Sequence, residues 1–166
     1  MKLLGPADDG AQYSVTRKAI GSILIGSLVT LIPVVASVPF LPPCGLLMLL
    51  GWRLLRPDAL PVWAAAPLGL FDDLVSGQPI GSAVLLWQIC ALTIDLVDTR
   101  LLARDFWHDW LLAGGSIAFC LIAGRAFAST LAANVDTVLL FQILVSIALF
   151  PLATRLCTAL GGHEDE

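Results

Sequence analysis

The sequence predicts an all-α integral membrane protein of six transmembrane helices, and three observations carry that expectation. Of 166 residues, 58% are hydrophobic and only 13% charged, with a mean hydropathy of +0.89, whereas a soluble domain carries about 25% charged residues. The charges are bunched between long apolar runs, several of them close to the roughly 20 residues that a helix needs to cross about 30 Å of hydrocarbon. The basic residues fall in a pattern that six crossings place almost wholly on one side. A water-soluble fold of this size could not bury so much apolar surface.

Residues 1–18 read as a short polar tail. The first span is expected at 19–39, directly after Arg17-Lys18. It is too long for the apolar region of a secretory signal and reads as an uncleaved anchor. The second span is expected at 41–56, with Pro42-Pro43 suited to a helix start, where a missing N–H does no harm. The third, at 59–76, carries Pro67 inside it and should kink there. Three more spans follow at 79–98, 108–129 and 135–157, and the connection 99–107 suits a short interfacial helix. The transmembrane domain is thus 19–157, and 158–166, ending in His163-Glu164-Asp165-Glu166, reads as a second solvated tail.

Orientation follows from lysine and arginine, which stay cytoplasmic near span ends. With the N-terminus inside, Lys2, Arg17, Lys18, Arg53, Arg56, Arg100, Arg104 and Arg155 all fall on the cytoplasmic side and only Arg125 lies toward the outside. Both tails are then cytoplasmic. Phe106, Trp107 and Trp110, before the fifth span, and Trp52, at the inner end of the second, suit the headgroup layer.

Composition also narrows function. The net charge of −4 owes much to the tail, and no basic stripe suggests nucleic acid. Cys44, Cys90, Cys120 and Cys157 lie in separate apolar runs without Cys-x-x-Cys spacing, so inert packing is the expectation, with a metal or a disulfide as the alternative.

The most informative stretch joins the third and fourth spans: Gly69-Leu70-Phe71-Asp72-Asp73-Leu74-Val75-Ser76-Gly77-Gln78-Pro79-Ile80-Gly81. It reads as a tight outer turn, in which Gly77 takes a conformation closed to other residues and Pro79 presets the first turn of the next helix. Turn chemistry alone does not explain the adjacent acids, because carboxylates in or near a bilayer are costly.

The pattern Gly-Leu-x-x-Asp-Leu-x-Ser-Gly-x-Pro-x-Gly resembles the hallmark of the rod shape-determining protein MreD family. It falls on Gly69, Leu70, Asp73, Leu74, Ser76, Gly77, Pro79 and Gly81; Asp72 is not part of it. The run from Pro39 to Pro57, with Trp52 and Arg53, resembles the family's second-helix segment. The resemblance implies a non-enzymatic scaffold of the cell-wall elongation complex in the bacterial inner membrane, needed for rod shape and lateral peptidoglycan synthesis. It implies a fold similar to the substrate-binding subunits of energy-coupling-factor transporters. It implies MreC as partner, with RodA, its transpeptidase and MreB in the wider complex. No catalytic residue and no cofactor come with it; a homo-oligomer is compatible with it.

Other polar residues carry competing readings. Arg125 either pairs with Asp73 or Asp72, tying spans three and five, or extends to the outer headgroups while the acids are solvated. Gln88 and Gln142, near the middle of spans four and six, suit interhelical hydrogen bonds, with ligand contact the alternative. Asp95 and Asp98 share a helix face, with Arg100 and Arg104 near enough to neutralise them. Asp105, His108 and Asp109 form an interfacial polar patch, too few for a metal site. Ser22 with Gly26, Gly114 with Ala118, and Gly124 with Ala128 have the small-xxx-small spacing of close helix contacts. The alternative function, a vitamin-like small-molecule binding subunit of an uptake system, requires an outward pocket, to which Trp87, Gln88, Asp72 and Asp73 could contribute. An enzyme is disfavoured, since no nucleophile–base pair is present.

Overall fold

The computed structural model describes residues 6–31, 42–100, 106–128 and 137–162. Over these the chain is all-helical, with six α-helices: α1 (Pro6–Leu28), α2 (Cys44–Leu55), α3 (Ala65–Ser76), α4 (Ser82–Arg100), α5 (Phe106–Ala128) and α6 (Thr137–Gly161). Short 3-10 turns follow α1 (Val29–Leu31) and occupy the link between α2 and α3 (Pro57–Ala59 and Val62–Ala64). Three helical stretches, Ser82–Thr99, Trp107–Phe127 and Thr137–Gly161, are long and apolar enough to cross a membrane. The chain is therefore an all-α membrane protein. α2 is apolar but has only 12 residues, about 18 Å of helix. The part of the first expected span beyond residue 31, and the connection 101–105, lie outside the described residues.

Two boundaries differ from the sequence expectation for identifiable reasons. α1 begins at Pro6 rather than near residue 19. Its polar first half is held by tertiary hydrogen bonds: Gln12 Nε2 donates to the Asp58 carbonyl at 2.6 Å and Thr16 Oγ1 to the Ala59 carbonyl at 2.9 Å. The third helix begins at Ala65, which places Pro67 in its first turn. First-turn N–H groups have no intrahelical acceptor in any case, so Pro67 removes no bond there and the expected mid-span kink does not arise.

α2 packs against α1 and α6, whereas α3 packs against α4 and α1, and named contacts fix which ends meet. A Cβ on Gly26 would lie 3.0 Å from the Cys44 backbone, which puts the small Ser22/Gly26 face of α1 against α2. Trp52 Nε1 donates to Ser22 Oγ at 2.9 Å, and Trp52 is 1% exposed. It is a core residue, not part of a headgroup belt; its indole N–H is satisfied inside the protein, as a buried tryptophan requires. Gly114 faces Ile147 of α6, and Gly124 faces Leu86 of α4. The core between the helices is filled by Ile23, Leu50, Trp52, Ile94, Ile117 and Phe150. The opposite face of α4 leaves Leu85, Ile89, Leu92 and Leu96 exposed at helical spacing, a stripe suited to acyl chains or a partner helix.

A polar knot closes one end of the bundle. Arg53, in the last turn of α2, is 3% exposed. Its Nη1 donates to the carbonyls of Pro57 and Leu60 at 3.2 and 2.9 Å, and its Nη2 pairs with Asp95 Oδ1 of α4 at 2.9 Å. Asp95 thus finds its cation on another helix; the side chains of Arg100 and Arg104 lie outside those described. Gly161, at the end of α6, lies beside Arg56 and Trp52. The start of α1 and the end of α6 therefore share this end of the bundle. Arg53→Ala would strand two carbonyls and the half-exposed Asp95. The expected cost is about 2 kcal/mol, below that of a fully buried pair because water reaches the carboxylate. Arg53→Lys should recover only part of it, since an ammonium lacks the fork that reaches three acceptors. Unfolding of the purified variants in mixed micelles checks the ranking.

Candidate functional site

The other end of the bundle is organised by the turn between α3 and α4. α3 closes on Gly77, whose φ of 69° is left-handed and whose N–H returns to the Asp73 carbonyl at 3.1 Å. Gly81, at φ 101°, is the second such residue. Both positions strain any side-chain-bearing residue. The helix that follows starts at Ser82, so Pro79 sits before it and not in its first turn. Pro79 opens a tight turn in which its carbonyl accepts from the Ser82 N–H at 3.0 Å.

Asp73 supplies what that helix start lacks. Its carboxylate, 1% exposed, accepts from the backbone N–H of Gly81 (2.8 Å), Ala83 (2.9 Å) and Val84 (3.5 Å), and from Ser82 Oγ (2.9 Å). A carboxylate at a helix N-terminus satisfies orphan donors and meets the positive end of the dipole. The costly buried acid is thus the cap of the next helix, donated from the preceding one. Gly69 makes the arrangement possible. A Cβ there would lie 2.8 Å from the Ala83 carbonyl carbon and oxygen and 2.9 Å from the Val84 nitrogen. The backbones of α3 and α4 touch at this point, and among the described residues these two helices share the most extensive contact. Ser76, partly buried, has a hydroxyl that makes no hydrogen bond among the described residues.

Asp72 points elsewhere. It lines a cavity of about 810 Å³ formed with Trp87 of α4, Arg125 of α5, Gln142 of α6 and Gln78 of the turn. The two adjacent acids therefore have separate surroundings, one committed to α4 and one facing a cavity. Arg125 is on the same cavity as Asp72. Gln142 lies in the second turn of α6 rather than mid-helix, because that helix runs from 137 to 161. Gln88 is not among the cavity-lining residues; its Oε1 is buried with no hydrogen bond among the described residues.

The remaining candidates are dispersed. His108 is exposed at the start of α5, Trp107 packs edge-on against Trp110 at 5.9 Å, and Asp105 lies outside the described residues. Among the described residues no group of three or more His, Cys, Asp or Glu could hold a metal ion. One pairing escaped the sequence reading: Cys90 of α4 and Cys120 of α5, both buried free thiols, have their sulfurs 3.4 Å apart. Their separation of 30 residues carries no local signal.

These features define a helical membrane protein in which a buried carboxylate, Asp73, joins the turn after α3 to the start of α4. The family model for the rod shape-determining protein MreD matches residues 18–160 of the chain. The chain belongs to this family, and is a membrane protein of cell-shape determination. No curated protein and no solved structure gives a match.

Proposed function

We propose that this protein is a non-enzymatic, multi-pass scaffold subunit of the cell-wall elongation complex in the bacterial inner membrane. Family membership over 18–160 is the observation that carries the reading. In it the chain crosses the membrane six times, with both tails and the Arg53 knot in the cytoplasm and the Asp73 turn outside. The basic residues support that orientation, since Arg53, Arg56 and the end of α6 bearing Arg155 gather at one end of the bundle. Similarity to the fold of energy-coupling-factor binding subunits is part of the same proposal. Of the two acids, Asp72 is the one that borders the same cavity as Arg125.

MreC is the proposed direct partner, and RodA, its transpeptidase and MreB are reached through the complex. The exposed leucine and isoleucine stripe of α4 and the exposed Leu70 and Leu74 of α3 offer apolar docking faces. Depletion should turn rods into spheres, and the tagged protein should copurify MreC. Unchanged shape together with lost vitamin uptake would reject the scaffold and favour the second reading, a small-molecule binding subunit, which the cavity alone supports.

A further inference from the structure

The cavity bordered by Asp72 and Arg125 has a chemistry that the scaffold role does not use. Its volume, about 810 Å³, lies within the roughly 300–1,000 Å³ of small-ligand sites. Its walls are apolar, with Leu46, Ala83, Leu86 and Leu121 among them, and its polar groups are few. They comprise one carboxylate, one guanidinium and two side-chain amides, Gln78 and Gln142.

Asp72 and Gln78 have different neighbours. At one corner, the position of a Gly45 Cβ would be 3.3 Å from Asp72 Oδ1 and 3.1 Å from Trp87 Cη2, and would collide with Ser27 Oγ. The carboxylate and the indole edge thus approach one packed point on α2, which Ser27 Oγ already crowds, and both side chains also border the cavity. A carboxylate bordering a mostly apolar cavity favours an ammonium, through a charge-assisted hydrogen bond. At the other side, the Gln78 carboxamide lies 3.9 Å from a Gly124 Cβ position, against the residue preceding Arg125. Arg125 borders the same cavity, and a guanidinium suits a phosphate or carboxylate. A ligand bearing a single charge would match only one of the two sides.

We propose that this cavity binds a zwitterion with a primary ammonium held at Asp72 and an acidic phosphate or carboxylate held at Arg125. An aminophospholipid headgroup entering from the bilayer and a free soluble zwitterion share this chemistry. The site is independent of the scaffold reading, because it concerns what the chain binds and not which complex it joins.

Native mass spectrometry of the full-length protein in detergent, with phosphatidylethanolamine or phosphatidylglycerol added, tests it directly. The wild type should retain phosphatidylethanolamine about tenfold more strongly than phosphatidylglycerol, which lacks the ammonium. Asp72→Asn should bring that preference to near parity. Arg125→Gln, at an exposed position whose replacement leaves the core intact, should weaken retention of both lipids. O-phosphoethanolamine, the soluble headgroup, is the second probe: displacement of bound lipid by it assigns the site to a soluble zwitterion, and lipid retention in its presence assigns it to the headgroup. No retention of either probe, or parity of the two lipids in the wild type, overturns the proposal. So does a preference that both substitutions leave unchanged.

Discussion

Asp73→Ala is expected to lower folding stability by about 3 kcal/mol, because it removes the acceptor of several donors at once from a site that water does not reach. The N–H groups of Gly81, Ala83 and Val84 and the hydroxyl of Ser82 all point at this carboxylate. Without it, the first turn of α4 keeps its dipole and loses its partners. Asp73→Asn should be milder than alanine, since one carbonyl oxygen remains while the new amide N–H₂ faces donors. Neutralising Asp72 should cost far less, as its carboxylate borders a cavity instead of a helix end. Reversible unfolding in mixed micelles reads all three. Equal losses at 72 and 73 would show that negative charge, not capping, is what matters there.

Gly69→Leu should be at least as damaging, about 3 kcal/mol, and should reduce accumulation in the membrane. The atoms a side chain would strike, the carbonyl of Ala83 and the nitrogen of Val84, are backbone and cannot rotate aside. Relief requires α3 and α4 to separate, which also draws Asp73 away from its donors. Gly69→Ala should therefore show a smaller loss that is not additive with Asp73→Ala, because the second change removes an interaction the first has already stretched. Strict additivity in the double mutant would mean that the close approach and the cap are independent. The Asp–x–x–x–Gly and Gly–x–x–x–Asp spacings of this stretch (Asp73 to Gly77, Gly69 to Asp73) thus have one physical purpose, a tight and dry junction between two helices.

Much of this was open to a reader of the sequence, and the boundary is instructive. Apolar run length and the placement of Arg and Lys give the helical membrane class, and α4, α5 and α6 meet the requirement for length and composition. The stretch 69–81 shows itself as the junction, because Gly77 is a residue that left-handed backbone favours, whereas the positive φ of Gly81 emerges only in the structure. What the sequence conceals is long-range. The cap reaches from Asp73 to Ala83, ten positions away, and turn chemistry alone does not distinguish Asp73 from Asp72, although the family pattern contains only Asp73. The partner of Asp95 is Arg53, 42 positions earlier, where proximity in sequence favours Arg100. The first half of α1 reads as a polar tail because its stabilising acceptors, the carbonyls of Asp58 and Ala59, belong to another segment. Pro67 and Pro79 mislead for a simpler reason: proline marks a helix start only to within a turn, and here one falls just inside and one just outside.

In the proposed topology the start of α1 and the end of α6 lie at one side of the membrane and the Asp73 turn at the other. Its most direct test is labelling with a membrane-impermeant maleimide in a background whose four native cysteines are replaced. Ile80→Cys in the turn and Thr158→Cys near the end of α6 are both exposed positions. Intact spheroplasts should label position 80 alone, with position 158 reacting only after permeabilisation. Labelling of both from the same side would contradict the arrangement.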